Sequence, residues 1–435
     1  MINKTDKSFL KFITIWVGEF VSSIGSGLTA FALAVYSYQL THTAGSVALV
    51  TLCAFLPAIL LSPVGGVLAD RFDRRFMMMF GDFFSVSGLI AMLIILSVGK
   101  LEVWQICICV TISSIFTALI EPAYKATVTD LLTADEYAKA SGLVQVAGSA
   151  KYLISPILAG FLLGFTDLRA ILMIDISTFF ITVLTTFSVK RKTQTKIVAN
   201  RNKNFVAELR EGWIAVTTDR GIFLLVLLMS LVTFSIGFMQ TLYGPLLLPF
   251  TDAKTVGTLE SFSAVGMMIG SILIGIFSIS KKYVNVLSIG IGIAGISFSI
   301  LGISTRIFLI GGAGIVFFGA LPFVNTSADV LIRQNIANEV QGRAWGMIGI
   351  LSQFGSVVAY AFSGLLADKI FNPMMKTNGL LSDTVGKIIG TGEGRGIGLL
   401  FILLGLLIAG TAVAIHRTGS IRTLESKYDC KFNYK

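Results

Sequence analysis

The chain has 435 residues, of which 54% are hydrophobic and only 13% are charged, whereas an ordinary soluble domain has about 25% charged residues. With a mean hydropathy of +0.83, its apolar side chains exceed what one packed core of this length could bury. These values exclude most soluble folds and indicate a polytopic membrane protein.

Twelve segments approach or exceed the roughly 18 to 20 apolar residues that a membrane-spanning helix requires. Backbone groups in lipid must be hydrogen-bonded within their own segment, so each segment is predicted to be an α-helix. The first is too long for a cleaved signal sequence. The predicted helices cover approximately 12–38, 45–69, 77–98, 103–123, 141–164, 169–189, 220–243, 256–279, 284–304, 307–326, 344–366 and 395–416.

A polar and basic stretch separates the sixth and seventh predicted helices. It begins at Lys190-Arg191-Lys192, and its residues 205–218 have the periodicity of an amphipathic helix at a membrane surface. The predicted organisation is an N-terminal six-helix bundle over 1–189, a cytoplasmic linker over 190–219, a C-terminal six-helix bundle over 220–416 and a cytoplasmic tail over 417–435.

A faint internal repeat supports two halves. The segment from Thr133 to Leu162 parallels the segment from Ile336 to Leu366, with an offset of 203 residues at the start and 204 at the end. Parallel repeats of about six helices are typical of transporters that hold substrate between two rocking halves. The predicted fold is therefore all-α, with twelve transmembrane helices in two pseudo-symmetric six-helix bundles.

The basic residues are distributed unevenly between alternating loops. If the N-terminus is cytoplasmic, that side carries 25 Lys and Arg residues and the opposite side carries 8. This asymmetry follows the positive-inside rule and places both termini and the linker in the cytoplasm. The net charge of +10 therefore reports membrane topology, and it gives no support to nucleic acid as a partner.

The loop between the second and third predicted helices carries the most specific pattern in the chain. It reads Gly65-Gly66-Val67-Leu68-Ala69-Asp70-Arg71-Phe72-Asp73-Arg74-Arg75. Gly66 is expected to let two helices approach closely, and Asp70 can face the positive N-terminus of a helix from the other half. Contacts of this kind exist in one conformation only, so they are expected to control gating.

The basic residues of this loop have two interpretations. They can pair with nearby carboxylates, and Asp130 is the expected partner of Arg74. Alternatively, they only follow the positive-inside rule, which would explain the charges but neither Asp70 nor Gly66. The predicted gating set is Gly66, Asp70, Arg71, Arg74, Arg75 and Asp130.

The loop resembles the Gly-x-x-x-Asp-Arg-x-x-Arg-Arg signature of the major facilitator superfamily, and the six-plus-six layout, linker and repeat extend the resemblance over the whole chain. Its drug-efflux subgroup, which includes macrolide-efflux proteins and the enterobactin exporter, is similar at Phe55-Leu56-Pro57, Glu121-Pro122-Ala123, Pro156, Gly160 and Asp175. The resemblance implies export of amphipathic compounds, usually driven by inward proton flow, by a protein that works mainly as a monomer.

Four ionisable residues lie within predicted helices, namely Glu19, Glu121, Lys151 and Asp175. Each costs about 2.5–3.5 kcal/mol on insertion scales and so calls for a reason. Helices one and four usually line the central cavity in the resembled superfamily, so Glu19 and Glu121 are the preferred proton carriers. Lys151 can neutralise one of them, and a structural ion pair is an equal alternative for Lys151 and Asp175. Three acids nearer helix ends are expected to be caps or surface groups: Asp82, Glu260 and Asp329.

The sequence therefore favours a secondary active exporter of amphipathic small molecules in the cell membrane, with protons, substrate and membrane lipid as its partners. A dedicated exporter of a siderophore or lipid-like metabolite is the alternative. A polytopic membrane enzyme is not favoured, because the two histidines, His42 and His416, have no acid at catalytic spacing. The cysteine spacing matches no metal site, and no cofactor is expected.

Overall fold

A computed structural model describes residues 4–132, 136–190, 205–277, 282–337 and 340–432. Every element in these ranges is helical, and twelve helices are long and apolar enough to cross a membrane, which confirms the predicted all-α membrane fold. The helices are α1 (Lys4–Thr41), α2 (Ala44–Arg71), α3 (Arg74–Val98), α4 (Val103–Leu131), α5 (Tyr137–Leu153), α6 (Ser155–Leu163), α7 (Leu168–Lys190), α8 (Phe205–Thr217), α9 (Arg220–Leu247), α10 (Ala253–Phe277), α11 (Tyr283–Ile303), α12 (Ile307–Asn335), α13 (Gln341–Leu366), α14 (Asn372–Met375), α15 (Gly386–Ile389), α16 (Arg395–Arg417) and α17 (Gly419–Phe432).

The fifth predicted span consists of two helices, α5 and α6, rather than one. Pro156 lies in the first turn of α6, where its missing N–H removes no helical hydrogen bond. The adjacent Ser155 hydroxyl donates to the Ile24 carbonyl of α1 at 3.0 Å. The break is therefore fixed by a proline and held against α1.

The helices form two compact units, one of residues 1–200 with 252–261 and one of residues 201–251 with 262–435. In the first unit, Phe12 and Ile15 of α1 pack with Met78 of α3 and Ala123 of α4 in an apolar core. In the second, the ring of Phe298 on α11 lies 5.2 Å from that of Phe317 on α12 and 4.6 Å from that of Phe401 on α16.

Small residues allow the helices of each unit to approach closely, as expected where lipid removes the hydrophobic drive for association. In the second unit, a Cβ at Gly302 of α11 would lie only 2.0 Å from the Gly398 carbonyl oxygen of α16. Near the same end of α16, the guanidinium of Arg395, which is 4% exposed, donates to the carbonyls of Gly302 and Ile303 at 2.8 and 3.1 Å. Arg395 thus joins the start of α16 to the end of α11.

The linker and the tail both supply helices that pack on the second unit. The amphipathic helix predicted over 205–218 is present as α8, where Glu211 forms an ion pair with Arg343 of α13. The tail forms α17, whose Leu424 is fully buried and accepts a hydrogen bond from the Asn335 amide of α12 at 3.1 Å. The tail helix is therefore part of the folded unit.

Candidate functional site

The sequence pattern between the second and third spans forms a tight connection between α2 and α3. Asp73 is the N-cap of α3, and its carboxylate accepts hydrogen bonds from the backbone N–H groups of Arg75 and Phe76, both at 3.0 Å. An aspartate at this position satisfies N–H groups that have no partner inside the helix. The loop is therefore fixed by its own second aspartate.

Arg74 connects three helices. From the first turn of α3, its Nε donates to the Ala69 carbonyl of α2 at 3.2 Å, and its Nη1 donates to the Ala126 carbonyl of α4 at 3.0 Å. Both carbonyls lie near helix C-termini, where a positive charge is favourable. The neighbouring Arg75 is only 2% exposed. The side chains of Asp70, Arg71 and Asp130, which complete the predicted gating set, lie outside the described part of the structure.

A close helix approach is made by Gly65, the neighbour of Gly66. A Cβ at Gly65 would lie 2.6 Å from the Ala118 carbonyl oxygen and 3.3 Å from Pro122 Cγ, whereas a Cβ at Gly66 would meet no described atom within 4 Å. Adjacent residues of a helix point about 100° apart, so only one of two neighbouring glycines can face α4. The close approach expected at Gly66 stays a prediction.

Glu19 of α1 lies within the membrane-spanning part of the first unit. Its Oε1 is buried and has no hydrogen-bond partner among the described residues. The residue as a whole is half-buried, so one carboxylate oxygen is enclosed while the side chain keeps some exposure.

Asp82 is not the cap or surface residue that its distance from the helix end predicted. Its side chain is 2% exposed, and its Oδ2 has no hydrogen-bond partner in the described structure. Asp82 lies two turns into α3, on the face that also buries Met78. Sequence reasoning also missed Tyr124, because a tyrosine in an apolar segment gives no signal of its surroundings.

Asp175 of α7 is buried, with 2% exposure, against α1. Its Oδ1 accepts a 3.4 Å hydrogen bond from Thr178, and a Cβ at Gly25 of α1 would lie 2.7 Å from the same oxygen. The described residues contain no ion pair between Asp175 and Lys151 of α5.

Glu121 forms an ion pair within its own helix, α4. Its side chain is 71% exposed within the structure, and it forms an ion pair with Lys125 at 2.6 Å. The two residues are one helical turn apart on α4, which is the spacing at which such pairs form. On α4, Tyr124 is buried, with 8% exposure, whereas Glu121 is not.

Comparison with known proteins gives one family and a consistent set of relatives. The family model described as Major Facilitator Superfamily matches residues 15–360. Macrolide efflux protein A of Streptococcus pyogenes is 27% identical over 422 residues, which cover 96% of this chain and 98% of that protein. The protein of the same name from Enterococcus faecalis is 28% identical over 303 residues, covering 69% of this chain and 94% of that protein.

Solved structures share the fold at much lower identity. The crystal structure of the nucleoside transporter NupG superposes with a TM-score of 0.74 at 14% identity, over 94% of this chain and 99% of that one. A bacterial homologue of the iron transporter ferroportin, solved in an inward-facing state, gives a TM-score of 0.68 at 13% identity, over 92% of this chain and 99% of that one. At these identities the likeness concerns the fold alone.

Proposed function

This chain belongs to the Major Facilitator Superfamily, and from that membership we propose that it exports amphipathic small molecules, macrolide-like antibiotics among them, by proton-driven alternating access. It is a multi-pass membrane transporter and not an enzyme. The near full-length similarity to macrolide efflux proteins is the observation that supports export of this substrate class. The transporter works as a monomer. Both of its termini face the cytoplasm, an orientation supported by the 25-to-8 distribution of basic residues.

Expression in a drug-sensitive bacterium tests the substrate class. A multidrug exporter raises resistance to several amphipathic antibiotics and lowers their accumulation in cells. A dedicated exporter of one siderophore or lipid-like metabolite protects against few or none, which would overturn the proposed substrate class while leaving the transporter fold intact.

The α2–α3 connection acts as the gating element in this proposal, with the set Gly66, Asp70, Arg71, Arg74, Arg75 and Asp130. Support comes from Arg74, which donates to carbonyls of α2 and α4 at once. A helix rearrangement that separates these carbonyls must break at least one of the two bonds. The element therefore stabilises one conformation over the others.

Arg74→Lys tests whether Arg74 acts through its two hydrogen bonds or only through its positive charge. Lysine keeps the positive charge and so the topology, but it lacks the planar fork that reaches both carbonyls. We expect transport in proteoliposomes to fall about tenfold, the loss of charge-assisted bonds being worth about 1.5–3 kcal/mol. Arg169→Lys is the matched control, since Arg169 donates to the Leu96 carbonyl of α3 outside the loop. Equal transport rates for the two variants would contradict the gating role and would indicate that the arginines of the loop only set the membrane topology.

Glu19 carries the transported proton in this proposal. Its Oε1 is buried without a hydrogen-bond partner in the described structure, a setting in which gain and loss of a proton are coupled to solvent access. Asp175 of α7 is buried in the same unit, where its carboxylate lies close to Gly25 of α1. Glu121, which pairs with Lys125, is not required for coupling.

We expect Glu19→Gln to reduce pH-gradient-driven transport into inverted vesicles by about tenfold or more, because a glutamine cannot exchange a proton. Glu121→Gln is the control, since it makes the same chemical change at an exposed position. Substrate counterflow, which needs no net proton movement, checks that the Glu19 variant still binds and translocates substrate. Gradient-driven transport at the wild-type rate in Glu19→Gln would contradict the assignment.

A further inference from the structure

Hydroxyl groups join α9 and α13 in the second unit. Thr241 Oγ1 of α9 donates to Ser363 Oγ of α13 at 2.8 Å, and both residues are fully buried. Ser356 Oγ of α13, which is 6% exposed, donates to the Thr233 carbonyl of α9 at 3.2 Å. Serine and threonine side chains commonly hydrogen-bond across packed helices in membranes. Helix packing therefore explains these hydroxyls.

Two glutamines beside this interface are only partly explained by packing. The Tyr360 hydroxyl of α13 donates to Oε1 of Gln240 on α9. Ser356 Oγ donates to Oε1 of Gln353 on α13 at 3.5 Å. Tyr360 is 3% exposed, whereas Gln240 is half-buried and Gln353 is exposed. Each amide oxygen is thus bound at the interface, while neither Nε2 has a hydrogen-bond partner among the described residues.

The two amides lie on the same side of the α9–α13 pair. Ser356 and Tyr360 follow Gln353 by three and seven residues, which is the spacing of one helix face. Gln240 is bonded to Tyr360 and therefore lies beside that face. Seven helical residues span about 10 Å, which sets the scale of the separation between the two amides.

Apolar side chains accompany the amides. Ile236 lies four residues before Gln240 on α9. Val357 lies four residues after Gln353 on α13 and, like Ile236, is half-buried. Residues four apart share a helix face, so each glutamine has an aliphatic neighbour on its own face. This side of the second unit therefore offers hydrogen-bond donors and apolar contact together.

Both glutamines lie well inside membrane-spanning segments. Gln240 is seven residues from the nearer end of the span Arg220–Leu247. Gln353 is ten residues from the nearer end of the span Arg343–Met375. Hydrocarbon offers no acceptor to an amide NH2 group, so exposing that group to lipid is costly, whereas exposing it to water or to a polar solute is not. We therefore expect this side of the second unit to face solvent.

The charge of this surface limits what it can bind. Neither 221–247 of α9 nor 344–366 of α13 contains an acidic or basic residue. An amide NH2 group donates to carbonyl, hydroxyl and ether oxygens. These two helix segments have no carboxylate that would attract an ammonium group. The chemistry therefore fits an uncharged, oxygen-bearing part of an amphipathic solute.

We propose that Gln240 and Gln353 bind the transported compound through the oxygens of a neutral, largely hydrocarbon ring such as a macrolactone, with both amide NH2 groups as donors. Ile236 and Val357 pack against the hydrocarbon of the ring. Tyr360 is a positioning residue, since it holds the Gln240 oxygen at the helix interface and so directs the NH2 group to the ligand. This assignment rests on the proposed export of amphipathic small molecules and names the part of the substrate that the second unit recognises.

Counterflow of radiolabelled erythromycin, a macrolactone antibiotic, in proteoliposomes of the full-length protein tests the site. We expect Gln240→Leu and Gln353→Leu each to raise the KM about tenfold at an unchanged maximal rate, because loss of a contact made equally in all states raises KM alone. Gln39→Leu is the matched control and should keep the wild-type KM, since Gln39 is an exposed glutamine of α1 in the first unit.

Tyr360→Phe tests the positioning role, because it removes only the hydroxyl. We expect a KM about threefold above that of the wild type. The double variant Tyr360→Phe with Gln240→Leu should match Gln240→Leu alone, since a hydroxyl that acts only through the amide has no effect once the amide is gone. Additive increases in KM would overturn the positioning role.

The outcomes separate this site from the proposed function. Erythromycin counterflow with a wild-type KM in both glutamine variants would leave macrolide export standing and overturn the site. A lower maximal rate at an unchanged KM would also overturn it, since that result indicates a role in helix packing alone. Absence of erythromycin counterflow in the wild-type protein would overturn the proposed substrate class, and this site with it.

Discussion

Gly257→Val is expected to impair transport strongly while the variant still inserts into the membrane. A Cβ at Gly257 of α10 would lie 2.1 Å from the Pro156 carbonyl oxygen of α6 and 3.2 Å from the Phe31 ring of α1. The carbonyl is backbone and cannot move aside, so α6 and the first turns of α10 must separate. Overpacking of this kind costs about 1–3 kcal/mol. A penalty of that size confined to one conformation shifts a two-state equilibrium by roughly 5- to 150-fold.

The matched control lies on the same helix. Gly275→Val makes the identical change where a Cβ would meet no described atom within 4 Å. Transport in proteoliposomes and cross-linking between cysteines placed at Gly160 and Ala253 report on the α6–α10 contact, since these residues also touch there. The contact has no part in transport if the two valine variants transport equally well.

Gly355→Ala is expected to destabilise the second unit although alanine is the better helix former. A Cβ at Gly355 of α13 would lie 1.8 Å from the Ser230 carbonyl oxygen of α9 and 2.7 Å from Thr233 Oγ1. The same two helices are joined by a 2.8 Å hydrogen bond between Thr241 and Ser363. A methyl group at position 355 must separate this interface, at a cost of about 1–3 kcal/mol.

Gly349→Ala, also on α13, provides the comparison. No described atom lies within 4 Å of a Cβ at that position, so the variant should gain the helix propensity of alanine, worth about 1 kcal/mol, without a clash. Thermal unfolding of the purified protein in detergent measures both. We expect a lower midpoint for Gly355→Ala and an unchanged or higher midpoint for Gly349→Ala, and the reverse order would contradict the packing of α9 on α13.

The intramembrane charges show how far sequence reasoning reaches. Glu19, Glu121 and Asp175 were recognised because an ionisable residue in an apolar segment is costly, and that cost depends only on position along the helix. Asp82 was assigned to the surface because it lies near a helix end, yet its side chain is 2% exposed, while that of Glu121 is 71% exposed. The distance of a residue from the end of its helix does not determine whether its side chain faces the interior of the helix bundle.

The same distinction applies to the loop between α2 and α3. Its pattern predicted a close helix approach at Gly66 and a pairing of Arg74 with the carboxylate of Asp130. The described contacts are a close approach of Gly65 to α4 and hydrogen bonds from Arg74 to the backbone carbonyls of Ala69 and Ala126. Backbone carbonyls are present at every residue, so no sequence pattern can mark which of them will accept.

By itself, the sequence determined the twelve membrane-spanning helices, because the bilayer requires long apolar segments whose backbone is hydrogen-bonded internally. It also determined the family, which the loop pattern indicated and the family match over residues 15–360 shows. Only the tertiary structure decided which side chains are buried together. In a membrane protein the lipid-facing surface is as apolar as the core, so hydrophobicity does not indicate which face of a helix packs inward. The burial of Asp82, on the face of α3 that also buries Met78, became visible only in the tertiary structure.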